Sequence, residues 1–327
     1  MPAACRAARF LAAAMLACAL AGCAGQPASA PSAQSSSTPS SASSNSPELG
    51  GESRLQTTWM LTKSALSQML ADDASSVIGV QMDGSGQIGA ITGTGKSMSG
   101  SAMLRLTLFA ANTVLQPGQQ PLNGVDATPV VSFSSVATLR STLDGNGLPA
   151  GTQAVLYDPE VWAYTPAAEQ RDPVLAAAQA AEMARSHGLQ IIVAPAMNLT
   201  SALDPGSSAP RWQTLLDLHI IGPMARAADT VELQAQSLER DPAAYAAFVR
   251  EAAAQARAAN PKVTVLAGLS TNPPGAAVDS QQLTAAIQAS QADVDGYWLN
   301  IPGSGPRCPG CNAGQPELGA AVLSDSL

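Results

Sequence analysis

The residues best suited to chemistry are two carboxylates one position apart, Asp158 and Glu160, in the run TQAVLYDPEVW from Thr152 to Trp162. A short apolar, β-prone segment, Ala154 to Tyr157, stops abruptly at these acids, and Trp162 follows them. That pattern predicts a buried strand whose C-terminal end opens into a site. A glycosidase uses two carboxylates, one as acid and one as nucleophile or base, about 5.5 Å or about 6.5–9.5 Å apart. Pro159 sits between the two acids and either splays them or holds them together. Other predicted strand ends carry Asp83, Asn198, Gln236, Asn272 and Asn300, with Gln234 on the same parity as Gln236 and Trp298 close by.

Acids and amides hydrogen-bond hydroxyls, and flat indoles stack on the apolar face of a sugar. The set therefore predicts a carbohydrate site, with Glu160 and Asp158 as the candidate catalytic pair. Asp83, Trp162, Asn198, Gln234, Gln236, Asn272, Trp298 and Asn300 are the candidate ligand contacts. The bland alternative is that the two acids cap backbone groups and the tryptophans are core. A second acid from another strand is not evident. Glu232 has the right parity but is expected near the N-terminal end of its strand, where barrels keep stability rather than chemistry. A non-catalytic glycan-binding site, or a scaffold role, therefore stands beside the hydrolase.

The elements that must position these residues repeat. Val130 to Phe133, Ala154 to Tyr157, Gln190 to Ala196, Thr230 to Gln236, Val263 to Leu269 and Val294 to Ile301 are predicted strands. Ser135 to Leu143, Asp172 to His187, Arg211 to Leu218, Asp241 to Ala259 and Ser280 to Ser290 are predicted helices. Asp172-Pro173 and Asp241-Pro242 are helix starts, with an acid at the cap and proline in the first turn. Gly188 suits a helix stop. Upstream, Trp59 to Leu70 is predicted as a first helix and Val77 to Met82 as a strand, while Met103 to Leu115 is ambiguous.

Strands alternating with helices imply a parallel sheet. About seven strands, or eight if Met103 to Ala110 supplies one, in a folded part of about 270 residues fit an α/β (β/α)8 TIM-type barrel of irregular form. An open doubly wound sheet is the alternative, but it lacks a convincing nucleotide turn here. In Val231 to Gln236 the odd positions are apolar and the even ones polar, and Val263 to Leu269 follows nearly the same rule. The apolar parity is expected to face the helices and the other to face the lumen.

The N-terminus predicts export. Arg6 and Arg9 precede an apolar run, Phe10 to Leu20, that is shorter than the roughly 20 residues of a membrane span. Leu20 to Cys23 is LAGC, the pattern of a bacterial lipobox whose cysteine becomes lipidated. Residues 1–22 are thus the expected signal peptide, 23–54 a Ser/Ala/Pro-rich tether, and 55–327 the barrel domain. The expected location is the extracytoplasmic face of a membrane, held through lipid on Cys23. Without Arg6 and Arg9 the 16 basic residues fall to 14 against 24 acidic, a net charge of −10. Such a surface disfavours nucleic acid and anionic lipid, so the anchor must do the membrane work.

Cys308 and Cys311 remain as a CPGC pair in a Pro/Gly-rich tail, and outside the cytoplasm they predict a local disulfide. With only His187 and His219 in the chain, no metal and no cofactor are expected. Gly93-Thr94-Gly95-Lys96-Ser97 looks like the end of a phosphate loop, but Ala90 stands where the first glycine is required, which favours a surface loop.

YDPEVW, the following TPAAEQRDP and the later AQSLERDPAAYAAFVREAAAQARAANP resemble a group of uncharacterised secreted bacterial proteins with a predicted barrel domain, distantly similar to glycoside hydrolases. The resemblance spans roughly residues 129–302. It implies a barrel and export, and it assigns no catalytic residue.

Overall fold

The computed structural model describes residues 58–62, 65, 80–82, 88–91, 106–110, 128–273, 277–303, 311 and 313–325, all within the unit Ser53–Leu327. Asp83, Cys23, Cys308, the leader, the tether and the phosphate-loop look-alike lie outside the described residues.

Ten strands are described: β1 Thr58–Thr62, β2 Val80–Met82, β3 Ile88–Ile91, β4 Leu106–Ala110, β5 Thr128–Phe133, β6 Ala154–Tyr157, β7 Gln190–Val193, β8 Thr230–Leu233, β9 Thr264–Ser270 and β10 Gly296–Asn300. Eight of them form one curled parallel sheet in the order β1-β10-β9-β8-β7-β6-β5-β4. Its ends meet, because β1 pairs in parallel with both β10 and β4. The protein is therefore of the α/β class.

Parity assigns the two faces. Odd-numbered strand residues such as Trp59, Val131, Tyr157, Val193, Val231, Val265 and Tyr297 pack in the cluster shared with the helices. Even-numbered ones, Met60, Val130, Leu156, Ile192, Leu266 and Trp298, form a second apolar cluster inside the curl. The alternation seen in two strands of the sequence holds around the sheet. Asn300 lies on the inner parity of β10, and Asp158 and Gln234 continue it directly after β6 and β8, whereas Glu160 lies in the loop beyond and Gln236 opens a turn of 3-10 helix.

Two expectations are corrected upstream. Trp59 to Thr62 belongs to a strand, not a helix. Trp59 and Met60 are buried on opposite faces, and a strand buried on both sides has the same continuous apolar character as a buried helix. Val80–Met82 is a strand, as expected, but it pairs antiparallel with β3 in a separate two-stranded sheet and does not join the parallel one. β1 and β4 supply the two sheet strands that the regular pattern lacked.

Nine helices are described: α1 Val136–Asp144, α2 Ala167–Arg171, α3 Pro173–Ser186, α4 Thr200–Leu203, α5 Arg211–Asp217, α6 Ile221–Ala227, α7 Pro242–Ala259, α8 Ser280–Ser290 and α9 Pro316–Asp325. The acid-proline starts behave as expected: Asp172 accepts from Leu175 N and Asp241 from Ala244 N, each at 3.0 Å. α7 buries Tyr245, Phe248, Val249, Ala252, Ala253 and Ala256, a stripe at helical spacing that lies against the sheet. α3 presents Ala176, Ala177, Ala180, Ala181 and Ala184, small side chains that let it approach closely. α2, α4, α6 and α9 were not anticipated.

At the N-terminal ends of the strands, Asp229 accepts from Ile191 N, and Asp295 accepts from Val265 N and pairs with Arg257. Those acids fix strand ends. The opposite ends carry the candidate site.

Candidate functional site

The C-terminal tips of β6, β7 and β8 are tied together by side-chain amides. Asp158 follows β6 directly and is only 4% exposed. Its Oδ1 accepts a 2.6 Å hydrogen bond from Gln234 Nε2, which comes from the end of β8 and reaches past the intervening β7. The same nitrogen lies 3.4 Å from Ala194 O, just after β7. Glu160, half-buried, accepts from Asn198 Nδ2 at 3.0 Å, while Asn198 Oδ1 accepts from Val161 N at 2.9 Å. One amide from the loop after β7 thus holds both the acid and its backbone.

A third carboxylate joins them from below. Glu232 is fully buried on the inner face of β8, and among the described residues neither of its oxygens has a hydrogen-bond partner. Burial, followed by repulsion from Asp158 and then Glu160, pushes its carboxyl well above the ordinary value. Sequence reasoning sets Glu232 aside as lying near the N-terminal end of its strand. It is the third of the four β8 residues, and its inner parity two positions before Gln234 was the available signal.

Gly268 on β9 shows how tightly this floor is filled. A Cβ there would lie 2.5 Å from both Glu232 Oε1 and Gln236 Nε2. Trp298 is the β10 register partner of Gly268 and is buried in the inner apolar cluster. Its ring belongs to the floor rather than to an exposed platform. Behind this layer, Tyr245 OH donates to Gly268 O at 3.0 Å, and Glu239 accepts from Ser270 N. Burial pushes the Glu239 carboxyl well above its usual value, against the lowering effect of that hydrogen bond.

No protein-family model and no curated protein matches the chain. Among solved structures, it is similar to the carboxyl transferase domain of Rhizobium etli pyruvate carboxylase with pyruvate, at 10% identity and TM-score 0.40, over 76% of this chain and 40% of that one. A class V chitinase from Pseudomonas fluorescens Pf-5 aligns at 10% identity and TM-score 0.41, over 83% of this chain and 100% of that one. The spore cortex-lytic enzyme SleL of Bacillus megaterium QM B1551 aligns at 11% identity and TM-score 0.39, over 82% and 73%. The chain spans less than half of the carboxyl transferase chains, 40% and 43% of two of them.

The remaining sequence candidates divide. Asn272 is buried and donates from Nδ2 to Pro302 O at 3.3 Å, tying the end of β9 to the segment after β10. Asn300 closes β10, and its carbonyl accepts from Thr271 N at 2.9 Å. Cys311 is disulfide-bonded. Two cavities of about 380 and 270 Å³ lie on the helical surface, one between α1 and α3 beside Glu169, the other along α8. Sequence reasoning overlooked Tyr164, 43% exposed, and Thr165, buried beside it. Both lie in the loop after β6 and had no strand parity to single them out.

Proposed function

We propose that the chain forms an irregular (β/α)8 barrel whose mouth binds a glycan and hydrolyses it, with Glu160 as proton donor. The observation that carries this reading is the convergence of Asp158, Glu160 and Glu232, from two strands, at one end of the sheet. Burial, then repulsion from Asp158 and Glu160, raises the carboxyl of Glu232, which leaves Asp158 and Glu160 as the pair for the reaction. Glu160 is the more exposed acid of the Asp158–Glu160 pair, and Asn198 orients it. It delivers a proton to the glycosidic oxygen as the bond to the anomeric carbon breaks. Asp158, held by Gln234, stabilises the positive charge developing on the ring, and water supplies the hydroxyl and the returning proton.

A second reading, glycan binding without cleavage, is favoured by the burial of Glu232, which leaves amides and Glu160 as the groups a ligand meets first. Glu160→Gln separates the two. On any glycan that the full chain cleaves, the variant binds and loses turnover; unchanged turnover removes Glu160 from the mechanism. Binding by wild type without cleavage of any bound glycan establishes the second reading.

We also propose that Cys23 carries lipid and holds the domain on the extracytoplasmic side of a membrane. The ordered run of charge, apolar core, small residues and cysteine supports it. Among the described residues, no helix is long and apolar enough to cross a membrane. Metabolic labelling with palmitate should mark wild type and not Cys23→Ser; label retained in the variant overturns the anchor.

A further inference from the structure

The loop after β6 holds two aromatic rings where a buried core residue would be of no use. Trp162 and Tyr164 meet edge to face, with ring centroids 5.2 Å apart and planes at 84°. Tyr164 is 43% exposed, which leaves its ring accessible. Trp162 is pinned on both sides. Its Nε1 donates to Thr165 Oγ1 at 2.8 Å, and its carbonyl accepts from Gln170 Nε2 at 3.0 Å. The same Gln170 nitrogen donates to Thr165 O at 2.8 Å.

The Thr165 hydroxyl has a second duty. It also accepts from Glu160 N at 3.2 Å. One buried oxygen therefore fixes the backbone of the acid and the indole of the platform together. An aromatic pair with one ring exposed and the other half-buried, set rigidly beside a functional carboxylate, offers apolar area at little ordering cost. Its natural complement is a ring with one apolar face and a hydroxylated rim.

We propose that Trp162 and Tyr164 form a second sugar position next to Glu160, so that the ligand is an uncharged glycan chain lying across both. This rests on the glycan reading given above and goes further, by specifying a chain rather than a single sugar. The charge of the protein selects among chains: its net charge of −8, with Glu160 at the proposed site, repels a polyanionic glycan.

The test is calorimetric titration of the full chain with glucose, N-acetylglucosamine, cello-, malto- and chito-oligosaccharides, and an oligogalacturonide. Wild type should bind one neutral series at least about tenfold more tightly as the chain lengthens beyond one sugar, a gain of about 1.4 kcal/mol. Tyr164→Ala should lose that gain and keep the affinity for the single sugar. Tyr164→Phe, which retains the ring, should keep the gain. Affinity independent of chain length, an unchanged gain in Tyr164→Ala, or preference for the oligogalacturonide overturns the platform while leaving the glycan reading intact. Failure of every saccharide to bind overturns both.

Discussion

Gln234 Nε2 lies 2.6 Å from Asp158 Oδ1, although β7 separates the strands that carry them. The contact closes a bridge over the sheet's inner face and supplies the hydrogen bond that a carboxylate 4% exposed requires. Gln234→Ala removes this hydrogen bond and leaves the acid buried. Urea unfolding should show a loss of about 1–3 kcal/mol. A loss below experimental error would mean that Asp158 finds another donor.

The buried carboxyl of Glu232 predicts a pH dependence of stability. Its folded value is raised, so the folded chain keeps a proton that the unfolded chain releases in the ordinary carboxylate range. Its contribution is fully present below that range and is lost as the pH rises through the folded value. Glu239 acts with the same sign. Replacing Glu232 by Gln removes one of the two terms. The melting temperature of Glu232→Gln should gain on wild type between about pH 4 and pH 8. Parallel curves for the two proteins would show that Glu232 is ionised in the fold.

Gly268 must be glycine because of what lies above it. An added Cβ would meet Glu232 Oε1 and Gln236 Nε2 at 2.5 Å. Gly268→Ala should cost about 1–3 kcal/mol through forced movement of the polar floor. Gly188→Ala is the contrast. Nothing lies within 4 Å there, and its φ of +70° sets a purely conformational cost of about 1 kcal/mol. Denaturation midpoints of the two variants, with retained sheet signal in circular dichroism, check both figures.

Asp241→Ala should lower stability by about 1 kcal/mol, since its side chain caps the helix that carries Tyr245 and Phe248 onto the sheet. Asp241→Asn, which keeps the acceptor, should restore most of it. Chemical unfolding measures both.

The sequence alone determined what depends on neighbours along the chain. Acid-proline starts at Asp172 and Asp241, the stop at Gly188, the strand–helix alternation from Val130 onward and the inner parity of Gln234 all follow from local backbone chemistry and period-two patterning, whereas Gln236, predicted on the same strand, opens a 3-10 helix after β8 ends at Leu233. β1 escaped because burial on both faces erases that pattern at Trp59 and Met60. Only the tertiary structure decided which polar tips meet. Glu232 came to feel the charges of Asp158 and Glu160 through the relative register of β6 and β8, set by parallel pairing with β7, and such pairing leaves no mark in the sequence of either strand. Thr165 likewise acquired its double role through the fold of one loop, where a hydroxyl's two acceptor positions are filled by groups that spacing alone does not bring together.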